Sequence, residues 1–367
     1  MGRPRLDRRR RRGIRAGVVG LGVAFGLIGL VGVIGSGAAH ALIFASPDME
    51  PAEAVPPDFP YWEHVTQRRY QGPSVLYLGG GWALTARHVG MGEVFLEGRI
   101  FAPIAGSQRT LLNLDGSPAD LMVFEIDRSE GDPGLPLLPL ARRPVERGDQ
   151  VLLIGFGRGR ARVVEWDADG TSQFGFQWDA VGRKRWGTNR IDLVGERVNQ
   201  GAWSTITIGF GFDPPLGART TRYEAAAATG DSGGAVFVQR DGTWELAGVM
   251  TSVTGTTGRP DATSTYGDRT YAADVAAYRS EILRWTRPAC ANEQDDDGDE
   301  AIDFPDDPGC RDLEDDDERD RTDATGSGLT EIAIALGLAI GGALALVFRI
   351  RQRGQSTPSS TSDSTAD

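Results

Sequence analysis

The apolar residues of this chain come in short bursts. Val75-Leu76-Tyr77-Leu78, Val94-Phe95-Leu96, Leu121 to Ile126 and Val151-Leu152-Leu153-Ile154 are each a few residues long, with Gly, Pro, Asp or Asn between them. Runs of this length, punctuated by turn residues, suit strands and are too short for buried helices, so the middle of the chain is restricted to an all-β barrel or sandwich. A helical period first persists after Tyr271. There Val275, Tyr278, Ile282 and Leu283 share one face of 272–287, which predicts a terminal helix. A division between two β halves is expected near Arg142–Asp149, where Pro144 and Gly148 precede the run from Val151.

The two ends differ from this middle. Arg3, Arg5, Arg8 to Arg12 and Arg15 precede an apolar, Gly-rich run from Ala16 to Gly35, and Gly37-Ala38-Ala39-His40-Ala41 comes next. Basic flank, apolar stretch and small-residue site read as an export signal over 1–41, with a retained anchor as the other reading. Either way the basic flank keeps the N-terminus in the cytoplasm and sends the chain beyond the apolar run outside. Cleavage after Ala41 would leave Leu42-Ile43-Phe44-Ala45 at the new N-terminus. Residues 47–60, rich in proline and acid, read as an extended lead-in. Near the other end, Ile332 to Phe348 is uncharged and long enough for a short membrane span, and Arg349, Arg351 and Arg353 lie just after it. The expectation is a transmembrane helix with basic flank over 329–353 and a disordered polar tail over 354–367. A processed sorting signal is the alternative.

Chemistry concentrates at Gly230-Asp231-Ser232-Gly233-Gly234. Glycines allow a tight turn that exposes the Ser232 hydroxyl and aims the N–H groups of Gly230 and Ser232 at one point, as an oxyanion hole requires. A serine nucleophile needs a base within hydrogen-bond reach. Of the three histidines, His40 lies at the signal junction and His64 follows a Trp-Glu pair. His88 ends Leu84-Thr85-Ala86-Arg87-His88, after an apolar strand and a glycine turn. Asp120, which leads into an apolar run, is the candidate to orient it. Asp115, in the turn sequence Leu-Asp-Gly-Ser, and Asp127, after the strand, compete for that role.

Thr-Ala-x-His, an Asp before an apolar strand, and Gly-Asp-Ser-Gly-Gly occur here in the order His, Asp, Ser. In these motifs residues 42–288 resemble the trypsin/chymotrypsin family of serine proteases. The resemblance implies two six-stranded antiparallel β-barrels with the site between them and a C-terminal helix. It implies catalysis by His88, Asp120 and Ser232 on a protein or peptide substrate, with Gly230 and Ser232 as the oxyanion hole, no cofactor for the chemistry and no nucleic-acid partner. In that family a freed apolar N-terminus inserts and pairs with the Asp of Gly-Asp-Ser, here Asp231. Signal cleavage at Leu42 would then be the activating event. The alternative is a loose segment 42–60, with Asp231 satisfied by other hydrogen bonds. The family's pocket for the residue before the cut maps onto Ala226 on one wall and Thr251, Ser252 and Val253 on the other, which provides no carboxylate for Arg or Lys and favours small or medium apolar residues. The cysteine usual beside the histidine is Val89 here. The Trp-containing stretch 157–205 reads as longer hairpins of the second half or as a substrate-facing insertion.

After Arg287 the composition turns acidic. Cys290 and Cys310, the only cysteines, read as one disulfide in an exported chain. Between them Asp295, Asp297, Asp299 and Asp303 alternate around a glycine and resemble the calcium loops of thrombospondin type 3 repeats, so Ca2+ is the cofactor expected in an acidic stalk over 289–328. The plain alternative is a solvated acidic spacer, and 311–323 is expected to be disordered. Taken together, the expectation is an exported, membrane-anchored serine endopeptidase. The contrasting reading is a catalytically inactive binding module of the same fold on a calcium-binding surface stalk.

Overall fold

In the computed structural model, residues 42–51, 54–69, 72–255 and 258–319 are described. The expected export signal, membrane span and tail lie outside these residues. Among the described residues no helix is long and apolar enough to cross a membrane.

The apolar bursts become strands of two sheets. The first sheet orders its strands Arg99–Phe101, Val94–Leu96, Val65–Arg68, Ser74–Gly79, Trp82–Thr85, Pro118–Glu125 and Arg109–Leu112. The second orders Arg185–Arg190, Gln150–Gly155, Ala235–Arg240, Thr243–Thr254, Arg269–Asp274, Ser204–Gly211 and Leu193–Asn199. The chain is thus mostly β, and the division near 142–149 falls between the two sheets. Six strands per half is corrected to seven. In the first sheet Glu97 and Gly98, with φ of 47° and 73°, form a tight hairpin that adds Arg99–Phe101 as an edge strand. In the second, Leu193–Asn199 adds an edge beside Ser204–Gly211. Each ladder runs from edge to edge, and no ladder joins the edge strands among the described residues.

One apolar core spans both sheets. Leu76, Leu84 and Val123 from the first meet Ile154, Phe237 and Val249 from the second, all buried. The helix Val275–Thr286 adds Val275, Tyr278, Ile282 and Leu283, the face its spacing predicts. It starts three residues later than the pattern, because Ala272 and Ala273 belong to the last strand and the Asp274 carboxylate caps the helix by accepting from the Ala276 N–H. The Tyr278 hydroxyl donates to Asn113 Oδ1 at 2.7 Å and accepts from the Ile206 N–H at 2.8 Å, so the helix is bonded to both halves.

The stretch 157–205 is built of long hairpins. Arg158–Ala168 and Thr171–Gly182 turn at Asp169-Gly170 and pair with Thr263–Ser264 in a separate three-stranded sheet. Residues 42–45 are not a loose leader. Ile43 and Phe44 pair with Ala226 and Ala225, and Leu42 to Ala45 are all at most 2% exposed. Arg160 donates to the carbonyls of Phe44 and Ala45, and the Tyr266 hydroxyl donates to Ala45.

The acidic segment folds against the terminal helix. Arg279 holds the Glu293 carboxylate with two bonds, of 3.1 and 2.7 Å, which keeps that carboxyl below the usual range. Cys290 and Cys310 form the expected disulfide. Disorder over 311–319 is corrected: Asp315 and Glu318 are buried, because Arg311 pairs with Asp315 while Glu318 accepts from the Asp296 N–H at 2.6 Å.

Candidate active site

The first sheet brings His88 to Asp120. Strand Trp82–Thr85 pairs with Pro118–Glu125, Thr85 opposite Met122, and a turn at Ala86–Val89 carries His88 back toward the start of the second strand. Both Asp120 oxygens serve His88. Oδ1 accepts the His88 backbone N–H at 2.9 Å, and Oδ2 lies 2.7 Å from Nδ1. Asp120 is fully buried, whereas the His88 side chain is one-third exposed. A carboxylate so placed fixes the proton on Nδ1 and leaves Nε2 as the basic nitrogen. The Asp120 N–H donates to Thr205 Oγ1 at 2.9 Å, which ties the pair to the second sheet.

The competing acids point elsewhere. Asp115 is exposed, and bonds from Ser117 and then Arg197 hold its carboxyl down at about 2. Asp127 accepts from the Ser129 N–H on the surface. His64 is buried, with Nε2 against the Pro136 carbonyl at 2.8 Å, and burial lowers its pKa.

The second sheet supplies the serine turn. In Gly230–Gly234 the N–H groups alternate in their commitments. Those of Asp231, Gly233 and Gly234 donate to the carbonyls of Ala228, Met250 and Asp231. Those of Gly230 and Ser232 donate to no protein acceptor among the described residues. The two donors expected to face an oxyanion are the two the fold leaves uncommitted. Ser232 and His88 line one cleft of about 410 Å³ together with Arg68, Phe156, Arg158 and Thr229. Among the described residues no hydrogen bond joins Ser232 to His88.

A residue that the sequence pattern does not mark holds this turn. Ser74 is fully buried; its N–H donates to the carbonyls of Gly230 and Ser232, and its hydroxyl donates to Gly230 at 3.1 Å while accepting from the Phe156 N–H. Gly233 (φ 83°) lies so close that a Cβ there would sit 2.1 Å from the Ser74 carbonyl oxygen and 2.3 Å from Thr85 Oγ1. Gly233→Ala should therefore push the two sheets apart at the site. Expected is a fall in thermal midpoint of several degrees; an unchanged melting curve would mean that this contact is not needed.

Asp231 points away from the cleft into the protein and is fully buried. Its oxygens accept from the N–H groups of Gly157 at 2.7 Å and Ala228 at 2.9 Å, and the Leu42 backbone bonds to it as well. Burial outweighs these bonds and pushes its pKa up to about 7. No cation pairs with it among the described residues.

The expected pocket residues do not line the cleft. Ala226 is covered by Ile43 and packs with Phe176 and Phe212. Thr251 is buried and donates to the Tyr271 carbonyl, Ser252 Oγ is buried without a partner, and Val253 packs on the second-sheet core. In the acidic segment the carboxylates of Asp295, Asp297 and Asp299 gather within 4.8 Å of one another. Asp303 is not among them, because its oxygens accept from the N–H groups of Asn292 and Glu293.

No family model matches the sequence, and no curated protein does. Among solved structures the chain is similar to the inactive form of the Rv3671c protease, at 16% identity over 60% of this chain and 90% of that one, TM-score 0.34. It is similar to kallikrein-related peptidase 10, at 16% identity over 61% and 94%, TM-score 0.36. A mutant of human heparin binding protein is a third, at 16% identity over 63% and 92%, TM-score 0.41.

Proposed function

We propose that this chain is an exported, membrane-anchored serine endopeptidase. The observation that carries this reading is the double bond set from the buried Asp120 to His88, in the same cleft as Ser232 and beside two uncommitted N–H groups. In this reading Ser232 Oγ attacks a peptide carbonyl as His88 Nε2 takes its proton. The Gly230 and Ser232 N–H groups hold the oxyanion, and His88 returns the proton to the leaving amine. Water then hydrolyses the acyl-enzyme by the same route. A Ser232–His88 bond formed only when substrate fills the cleft is consistent with catalytic contacts that tighten on binding.

Activation fits the same geometry. Leu42 is already seated with its backbone on Asp231. Cleavage of the Ala41–Leu42 bond would replace a neutral amide there with an ammonium, the cation that a buried carboxylate needs. Export rests on the basic and apolar segments over 1–41, and anchoring on the apolar run 332–348.

A second reading, the inactive binding module, is favoured by one observation, the unmade bond between Ser232 and His88. A fluorophosphonate probe separates the two. The mature chain, its first residue identified by mass spectrometry, should label at Ser232 alone. A correctly folded chain starting at Leu42 that takes no label would favour the binding module.

A further inference from the structure

The cleft at Ser232 carries charge of one sign. Two arginines and a histidine line it and no carboxylate does, although acids outnumber basic residues 51 to 39 in the chain. Arg68 is already committed, since its Nη1 donates to the carbonyls of Val89 and Gly90. Arg158 is not. Its backbone N–H donates to the Thr229 carbonyl at 2.9 Å, which fixes its Cα beside the serine turn. Arg158 is half-buried, and its side chain makes no ion pair or hydrogen bond among the described residues.

Phe156, Gly157, Ala180, Gly182, Thr229 and Gly230 line the cleft with Arg158, and its volume of about 410 Å³ leaves room for an incoming side chain. We infer that Arg158 binds an acidic side chain of the substrate within two residues of the scissile bond, because it lines the same cleft as Ser232 and His88. This rests on the peptidase reading above. A guanidinium presents a planar fork that matches a carboxylate in a two-point bond, and a neutral amide of the same shape can make only part of that contact. Partial exclusion of water by the cleft strengthens the pair relative to one on an open surface.

The experiment uses the mature full chain and quenched peptides that differ only in the two residues on each side of the cut, carrying Glu, Gln or Lys one position at a time. Mass spectrometry locates the cleaved bond. The expected kcat/KM is about tenfold higher for Glu than for Gln at one of these positions, and the ratio narrows as salt rises. Arg158→Gln should bring the ratio to about one, Arg158→Lys should restore part of it, and Arg158→Glu should reverse it in favour of Lys. A Glu-to-Gln ratio near one at every position in the wild type, or one unchanged in Arg158→Gln, overturns the inference. Fluorophosphonate labelling of Ser232 is run on the same preparation. Labelled protein with a flat preference removes only the role of Arg158, whereas unlabelled protein removes the peptidase reading and this inference with it.

Discussion

Ser232→Ala and His88→Ala should each slow peptide hydrolysis by about a million-fold, and the double variant should be no slower than either single one. In the peptidase reading the three groups act as a unit, so removing the nucleophile leaves the base with no proton to take. Asp120→Asn should cost about ten-thousand-fold. The reason lies in the two bonds from Asp120. Both His88 donors need an oxygen. An amide provides one oxygen and one NH2, so either the backbone N–H loses its acceptor or Nδ1 faces a donor and the ring proton moves to Nε2. A base protonated on that nitrogen cannot accept from serine. Steady-state kinetics on the purified variants, with folding checked by thermal melts, reads these losses. Activity persisting in Ser232→Ala would mean another residue is the nucleophile.

The second large effect concerns Asp231 and the bond before Leu42. A carboxyl normally titrates near 3.8, and here burial raises it to about 7. The folded state thus holds this proton more tightly than the unfolded state does. The corresponding stability is fully present below about pH 4 and is lost as pH rises through about 7. Above that the buried charge costs on the order of 4 kcal/mol while Leu42 remains an amide. A freed ammonium at Leu42 would pair with the carboxylate and remove most of that cost. The uncut chain, blocked by Ala41→Phe, should lose thermal midpoint steadily from pH 4 to pH 8, and the cut chain should lose much less. Asp231→Asn should stabilise the uncut chain at pH 8 and abolish activity in the cut one. Parallel pH profiles for the two forms would exclude a role for the Leu42 amine.

The strands at Val75, Val94, Leu121 and Val151 and the buried helix face are legible in the sequence because hydrophobic periodicity reports burial directly. The meeting of His88 with Asp120, in one cleft with Ser232, is anticipated by three short motifs whose chemistry is local. The features that escape depend on contacts between segments distant in sequence. Ser74 shows no local sign of its task, since its partners are Gly230 and Ser232 in the other sheet. Ala226 reads as a pocket wall from its distance to the serine, but its neighbour in space is Ile43, which covers it. Asp303 shares the alternating pattern of its neighbours and is diverted by two backbone N–H groups that spacing could not reveal. Seven strands per sheet instead of six also result from edge pairings, which apolar patterning marks weakly.

The bond from Tyr266 to the Ala45 carbonyl joins residues 221 positions apart. A chain emerging from the ribosome in order cannot complete the seating of 42–45 until Tyr266 has been made. Long-range closures of this kind slow folding, because the entropy of the loop is lost before the contact forms. The Leu42 end is thus the earliest part of the domain to be synthesised and among the last to dock. Until it docks, the Asp231 carboxyl lacks the Leu42 backbone as a partner, so this contact is among the last the fold acquires.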